Sequence, residues 1–223
     1  MELTIGSTTR PHNALSFAAA CERIACAGYT DVAVFAHDRV MPVDAESSAE
    51  QVAAARKAAA DAGLVPSMLL GHALLERGVD GAADAYKQLL DNAAALGSRW
   101  ILELGTGREE FYPIYPEVMQ RAAAHAATLG IGISLKPHGG ISLTARELIA
   151  LCQQVEHPSF AVSYDPGNII HYTRGEVTPP LNTTPPFRVL RAPWPTNWQR
   201  ERSARAPNRL SCGRRLPACG RCA

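Results

Sequence analysis

Six residues of this chain, His72, Glu103, Lys136, His138, Asp165 and Asn168, pair useful chemistry with one kind of position. Each closes, or lies just past, a short apolar run. An imidazole exchanges protons near neutral pH, and a carboxylate can take up a proton or ligate a cation. An ammonium can hold an oxyanion, or act as a base where burial lowers its pKa. A Schiff-base role for Lys136 would need supporting neighbours, and "GISLKPHGG" supplies none. Two groupings are tight: Lys136-x-His138 and Asp165-x-x-Asn168. Each has a plainer reading, because "DPGN" also spells a Pro-Gly turn capped by its aspartate. A loop histidine is often simply solvated. Arg10 and His12 follow the first apolar run, where a basic residue could meet a phosphate; a surface role is the simpler reading. His37-Asp38 reads as a turn.

The elements that carry these residues repeat. Short β-type runs begin at Leu3, Asp31, Val65, Arg99, Gly132 and Phe160, about 30 residues apart. Continuously apolar runs of this kind suit strands buried on both faces of a parallel sheet. Between them, Asn13–Ala27, Ser48–Ala62, Gly81–Leu96, Pro113–Leu129 and Thr144–Val155 have helical spacing. Ser47-x-x-Glu50 and Thr144-x-x-Glu147 spell capping boxes, and Gly28, Gly63, Gly97 and Gly130 stand where helices end in a left-handed residue. Strict alternation predicts an α/β protein with right-handed crossovers. A doubly wound dinucleotide fold would need a glycine-rich turn, and "GSTTRPH" is not one. Polar, titratable residues at nearly every strand exit favour a (β/α)8 TIM barrel, here incomplete at about six βα units.

Charge divides the chain. Residues 1–172 hold 12 Lys and Arg against 19 Asp and Glu, a net −7, while residues 173–223 hold 10 Arg against 2 Glu, a net +8. Half of the 16 prolines fall in that second stretch. No apolar run approaches the ~20 residues that cross a bilayer, and "MELTIGSTTRPHN" has no basic leader. Cys21, Cys26 and Cys152 sit in apolar helical patterns and read as reduced core thiols, so a cytoplasmic protein is expected.

The stretch "GIGISLKPHGGISLTARELIALCQQVEHPSFAVSYDPGNIIHY" resembles the fifth and sixth βα units of the xylose-isomerase-like TIM barrels, the sugar phosphate isomerase/epimerase superfamily. The resemblance covers residues 1–172, by motif over 132–172 and by layout before that. It implies a divalent metal (Mn, Mg, Co or Zn) and proton transfer between adjacent carbons of a sugar or sugar derivative. The metal spreads the charge of an enediolate, and carboxylates move protons. Carried over residue by residue, Asp165 matches the metal ligand after strand six, and Asn168 a turn position that contacts substrate. His138 and His72 are expected to face substrate, and Lys136 and Glu103 to be catalytic. Lys136 departs from the pattern, because the resemblance puts a carboxylate there. It then replaces part of the metal's charge, acts as a base, or marks a site that has lost its metal.

The resemblance also implies a histidine after strand seven and a glutamate after strand eight. Beyond His171 there is no histidine, aspartate or lysine. The composition of 173–223 is what an out-of-frame reading of a GC-rich gene gives, so this stretch is expected to be an irregular Arg/Pro/Cys-rich tail. A zinc module on Cys212, Cys219 and Cys222 lacks a clear fourth ligand, and nucleic-acid contact through its arginines with Trp194 and Trp198 lacks a basic helix. The expected partner is a small-molecule sugar, with no membrane and no nucleic acid, and with weak metal binding and poor turnover. An endonuclease-four-like metal-dependent hydrolase and a non-catalytic truncated remnant are the alternatives. The first predicts several zinc-ligand histidines and a basic surface, and the second predicts failure to fold and bind metal.

Overall fold

Six apolar runs spaced by alanine-rich helical segments bury both sheet faces only if successive strands run the same way, with helices returning over one side. A computed structural model describes residues 5–175 of the chain, so the expected tail from residue 176 on, with Trp194, Trp198, Cys212, Cys219 and Cys222, lies outside the described residues. The strands are β1 (Gly6–Thr8), β2 (Asp31–Val34), β3 (Val65–Leu70), β4 (Trp100–Glu103), β5 (Gly132–Leu135) and β6 (Phe160–Val162). They form one sheet in the order β1-β2-β3-β4-β5-β6, with every neighbouring pair parallel. Sequential order belongs to a barrel wall; a doubly wound sheet reverses at a switch point. The described fold is therefore α/β and TIM-barrel-like, and partial.

The helices are α1 (Phe17–Cys26), α2 (Ala49–Asp61), α3 (Gly78–Leu96), α4 (Tyr115–Leu129), α5 (Ala145–Val155) and α6 (Pro166–Thr173). Thr144 and Glu147 form the capping box expected of α5. The box of α2 lies one residue later than expected, on Ser48 and Gln51, because Ser47 turns back to hydrogen-bond Asp44 at 2.9 Å. α1 begins at Phe17 and not at Asn13, since a 3₁₀ turn over Arg10–His12 uses the preceding residues and Ser16 caps the helix. "DPGN" opens α6 and does not stop at the Pro-Gly turn that its letters also spell. Asp165 does cap, but what it caps is eight residues of helix with Pro166 in the first turn.

The core lies between sheet and helices. Leu69, Ile101, Ile133 and Leu135 from the strands meet Tyr86, Leu90, Met119 and Leu148 from α3, α4 and α5, all fully buried. At roughly 1.5–3 kcal/mol for each large apolar side chain, this layer dominates the stability of the described body. A second cluster of Cys21, Ile24, Val32, Ala59 and Leu64 holds α1 and α2 against the sheet. Cys21 is buried as expected, whereas Cys26 is exposed on the outer side of α1. Among the described residues no helix is long and apolar enough to cross a membrane.

Candidate functional site

Strand alternation decides which side chains can meet. On β5, Ile133 and Leu135 pack toward the helices, so Ser134 and Lys136 point to the opposite, inner face. Lys136 Nζ stands 3.1 Å from Asp165 Oδ2. The other oxygen of Asp165 accepts from the Asn168 backbone N–H at 3.0 Å, which caps α6. The Asn168 side chain donates to Pro137 O at 2.8 Å and so ties α6 to the "KPHGG" loop. Tyr172, one helical turn after Asn168, lays its hydroxyl 3.0 Å from Nε2 and 3.2 Å from Nδ1 of His138. Lys136, His138, Asn168 and Tyr172 line an open cleft of about 390 Å³ with Thr8, Arg10, Phe35 and His171.

The loop bearing His138 is clamped. Ser142, with no exposed surface, donates to Leu104 O at 2.8 Å and accepts from the His138 N–H at 3.2 Å. Ile141 N donates to Thr106 O at 2.9 Å. The backbone here comes so close that a Cβ on Gly140, at φ +54°, would stand 2.2 Å from Thr106 O. Only glycine fits. Across the cleft, Thr9 joins the β1 and β2 exits, its hydroxyl accepting from Phe35 N at 3.0 Å.

Electrostatics follow from this packing. Burial acts to raise the Asp165 pKa, but the Asn168 N–H and the Lys136 ammonium outweigh it and hold the carboxyl below its usual range. His138 is pushed down, first by burial and then by the positive charges of Lys136 and Arg10, so its neutral form is favoured.

Two of the six sequence-chosen residues are elsewhere. Glu103 pairs in register with Leu135 and so faces the helices, opposite to Lys136. It is buried, with Oε2 accepting from the Tyr86 hydroxyl at 2.8 Å and Oε1 from Gly105 N at 3.0 Å. Burial lifts its pKa to about 7, against the opposing pull of those donors. Tyr115, fully buried, has its own pKa raised well above the ordinary value, by burial and then by the Glu103 charge, yet its hydroxyl makes no hydrogen bond of acceptable geometry. Gly71 closes the pocket: a Cβ there would stand 2.5 Å from Ile101 and 2.9 Å from the Tyr86 hydroxyl. His72 shares the strand-exit end of the sheet but is exposed and does not line the cleft. His37 does sit in a turn, bridged to Val40, with Nδ1 2.9 Å from Leu15 O.

Sequence reasoning missed Tyr172, His171 and Ser142. The signal for the first two was an Asp-Pro helix start followed by residues one turn on; Ser142 carried no local signal at all.

The donor set of the described residues does not fit a divalent metal. No three His, Cys, Asp or Glu side chains converge among them. Asp165 is engaged at both oxygens, and an ammonium 3.1 Å away opposes a second cation.

The sequence profile of the family described as Xylose isomerase-like TIM barrel matches residues 21–196, and the chain belongs to that family. Among solved structures, it is similar to a D-psicose 3-epimerase determined in the presence of D-fructose, with 19% identity and a TM-score of 0.57 over 72% of this chain and 62% of that one. A xylose isomerase-like TIM barrel protein from Mycobacterium smegmatis in complex with magnesium shares 16% identity at TM-score 0.59, over 75% and 66% of the two chains. A xylose isomerase domain protein from Planctomyces limnophilus shares 20% at TM-score 0.54, over 74% and 64%. At these identities the likeness is one of fold. The chain spans less than two thirds of the length of each of the three. No curated protein matches the chain in sequence.

Proposed function

We propose that this chain carries out isomerase- or epimerase-type proton transfer beside the carbonyl of a sugar or sugar derivative, with Lys136 supplying positive charge where family members use a metal. The observation that carries this is the placement of the Lys136 ammonium on the inner face at a strand exit, 3.1 Å from Asp165 and sharing a cleft with His138. His138, kept neutral by burial and by neighbouring cations, is suited to take a proton from the carbon next to the carbonyl. The electron pair of that C–H bond moves to the carbonyl oxygen, whose charge the ammonium stabilises. Return of the proton to the former carbonyl carbon, with the adjacent hydroxyl proton passing to the former carbonyl oxygen, gives the isomer. Protonation of the original carbon by water from the opposite face gives the epimer, His138 then releasing its proton to solvent. Tyr172, within hydrogen-bond reach of the imidazole, orients it and offers an O–H to substrate oxygens.

Family membership and the magnesium-containing neighbour support a divalent metal only at family level, so each step above runs through the chain's own groups. The hydrolase alternative draws no support from the described residues, where the several metal-ligating side chains it needs do not converge. The Cys21 and Cys152 thiols, held protonated by burial, support a cytoplasmic setting, and the open cleft supports a small-molecule partner. We place the functional domain in residues 1–172 and the tail in 173–223.

The test is deuterium exchange. The full chain, incubated in D₂O with a panel of ketohexoses and aldoses, should incorporate deuterium at the carbon next to the carbonyl, read by NMR. Lys136→Met should lower the exchange by about 10²–10³-fold. Exchange indifferent to Lys136→Met would remove the proposed role, and no exchange with any sugar would favour the non-catalytic reading.

A further inference from the structure

The imidazole that takes the proton in the proposed reaction stands on a loop just past β5, and something must hold it in place. Two glycines with positive φ, Gly139 and Gly140, follow His138, and glycine gives a backbone little stiffness of its own. The stiffness comes from Ser142, whose side chain is fully buried. Its hydroxyl has one hydrogen, which goes to Leu104 O at 2.8 Å in preference to Gly139 O at 3.2 Å. Its oxygen accepts from the His138 N–H at 3.2 Å. The anchor for this bond is itself fixed, because Leu104 lies between Glu103 and Gly105, and the buried Glu103 carboxylate accepts from the Gly105 N–H at 3.0 Å. At the far side of the imidazole, the Tyr172 and His138 rings stand 5.0 Å apart, centre to centre. The Tyr172 ring rests on the same loop: a Cβ on Gly139 would stand 3.0 Å from its Cδ1.

We propose that Ser142 is a positioning residue: its buried hydroxyl ties the backbone of His138 to the exit of β4 and thereby sets the imidazole against Tyr172 in the cleft shared with Lys136. Deleting one buried oxygen leaves less room than a water occupies, so solvent does not take over the role. The His138 N–H then loses its hold. The bonds from Ile141 N to Thr106 O and from Ser142 N to Gly139 O belong to the backbone and survive the deletion. The turn therefore persists while His138 is freed. The consequence for catalysis rests on the proton-transfer reading; the placement of the ring does not.

The experiment compares the natural full chain with Ser142→Ala, Ser142→Cys and Ser98→Ala. Ser98 is a matched control at the opposite end of β4, also buried, its hydroxyl donating to Pro66 O at 2.7 Å. The first readout is the proton NMR signals of the His138 ring at pH 8, where an ordinary histidine is neutral, identified by their absence in His138→Gln. The Tyr172 ring shields these protons in the natural chain. Ser142→Ala should move the signals toward those of a free histidine, Ser142→Cys, with its weaker donor, part of the way, and Ser98→Ala not at all. The second readout is deuterium exchange. Ser142→Ala should lower its kcat by about 10²-fold, the scale of a small misplacement of a reacting group, with KM held within about threefold. Signals unmoved in Ser142→Ala, or moved equally in Ser98→Ala, overturn the proposal. If Ser142→Ala does not fold, Ser142→Cys decides by the same signals. Moved signals with full exchange retained would overturn the role in the reaction. Moved signals with no exchange by any chain, the natural one included, would remove the chemistry and keep the placement.

Discussion

Asp165 and Glu103 both stand at strand exits, yet their surroundings push them in opposite directions. Asp165 meets an ammonium and a helix-capping N–H on the inner face, and its carboxyl is held below the usual range. Glu103 is walled in by Tyr86, Tyr115 and the backbone of Gly71 on the helix face, and its carboxyl rises to about 7. Placement at a strand end is thus only half of what makes a site. The parity of the residue along the strand is the other half, and it separates a candidate reactive carboxylate from one that is part of the core.

The sharpest way to break that contrast is to remove the charge on the inner face. Lys136→Met should lower exchange by about 10²–10³-fold, the scale of losing one stabilising donor to an oxyanion. Glu103→Gln should change it less than threefold, about 0.6 kcal/mol. Equal losses in the two variants would mean that Glu103 reaches the reaction after all.

Stability should show the reverse. The raised pKa of Glu103 means that the folded protein holds this proton more tightly than the unfolded chain does. Between an ordinary 4.5 and about 7 the folded state binds more protons, so stability falls as pH rises through that window. The shift corresponds to about 3 kcal/mol. Urea denaturation should find this loss in the natural chain and not in Glu103→Gln, which should be the more stable at pH 8. A flat natural profile would mean that Glu103 is more hydrated than its packing implies.

A smaller effect is expected from Tyr86→Phe, which deletes the 2.8 Å hydrogen bond to the buried carboxylate. It should cost about 1–3 kcal/mol and leave ligand binding alone. The smallest lies back at the inner carboxylate. Asp165→Ala should cost about 1 kcal/mol through loss of the α6 cap, seen as a modest fall in thermal midpoint. Mn²⁺ titration of the natural chain should show only weak binding. Micromolar binding abolished by Asp165→Ala would instead show ligands supplied from outside residues 5–175.

Much of this fold was written plainly in the sequence, for physical reasons. A repeat of about 30 residues, glycines after helices and the Thr144–Glu147 box are local signals, and local signals survive without tertiary knowledge. The convergence of Lys136, His138, Asp165 and Asn168 followed from parallel strands alone. The side chosen by Glu103 did not. In "RWILELG" the residues on both sides of Glu103 are apolar, Trp100 to Leu102 before it and Leu104 after it, so the run lacks the alternation that tells one sheet face from the other. The α6 helix hid behind "DPGN" because the letters that make a turn also make a helix cap followed by a first-turn proline. Ser47 and Ser48 differ in no intrinsic preference, and only the pull of Asp44 on the first separates them.

The clamped loop around Ser142 and Gly140 has a consequence for the speed of ligand arrival. Because Leu104, Thr106 and Gly139 already hold the backbone that presents His138, the ordering of this rim is completed during folding and not on encounter. Over the described residues a ligand meets a preformed wall at this rim. Association should then follow diffusion, slowing with solvent viscosity, and progress curves should remain single-exponential as ligand concentration rises.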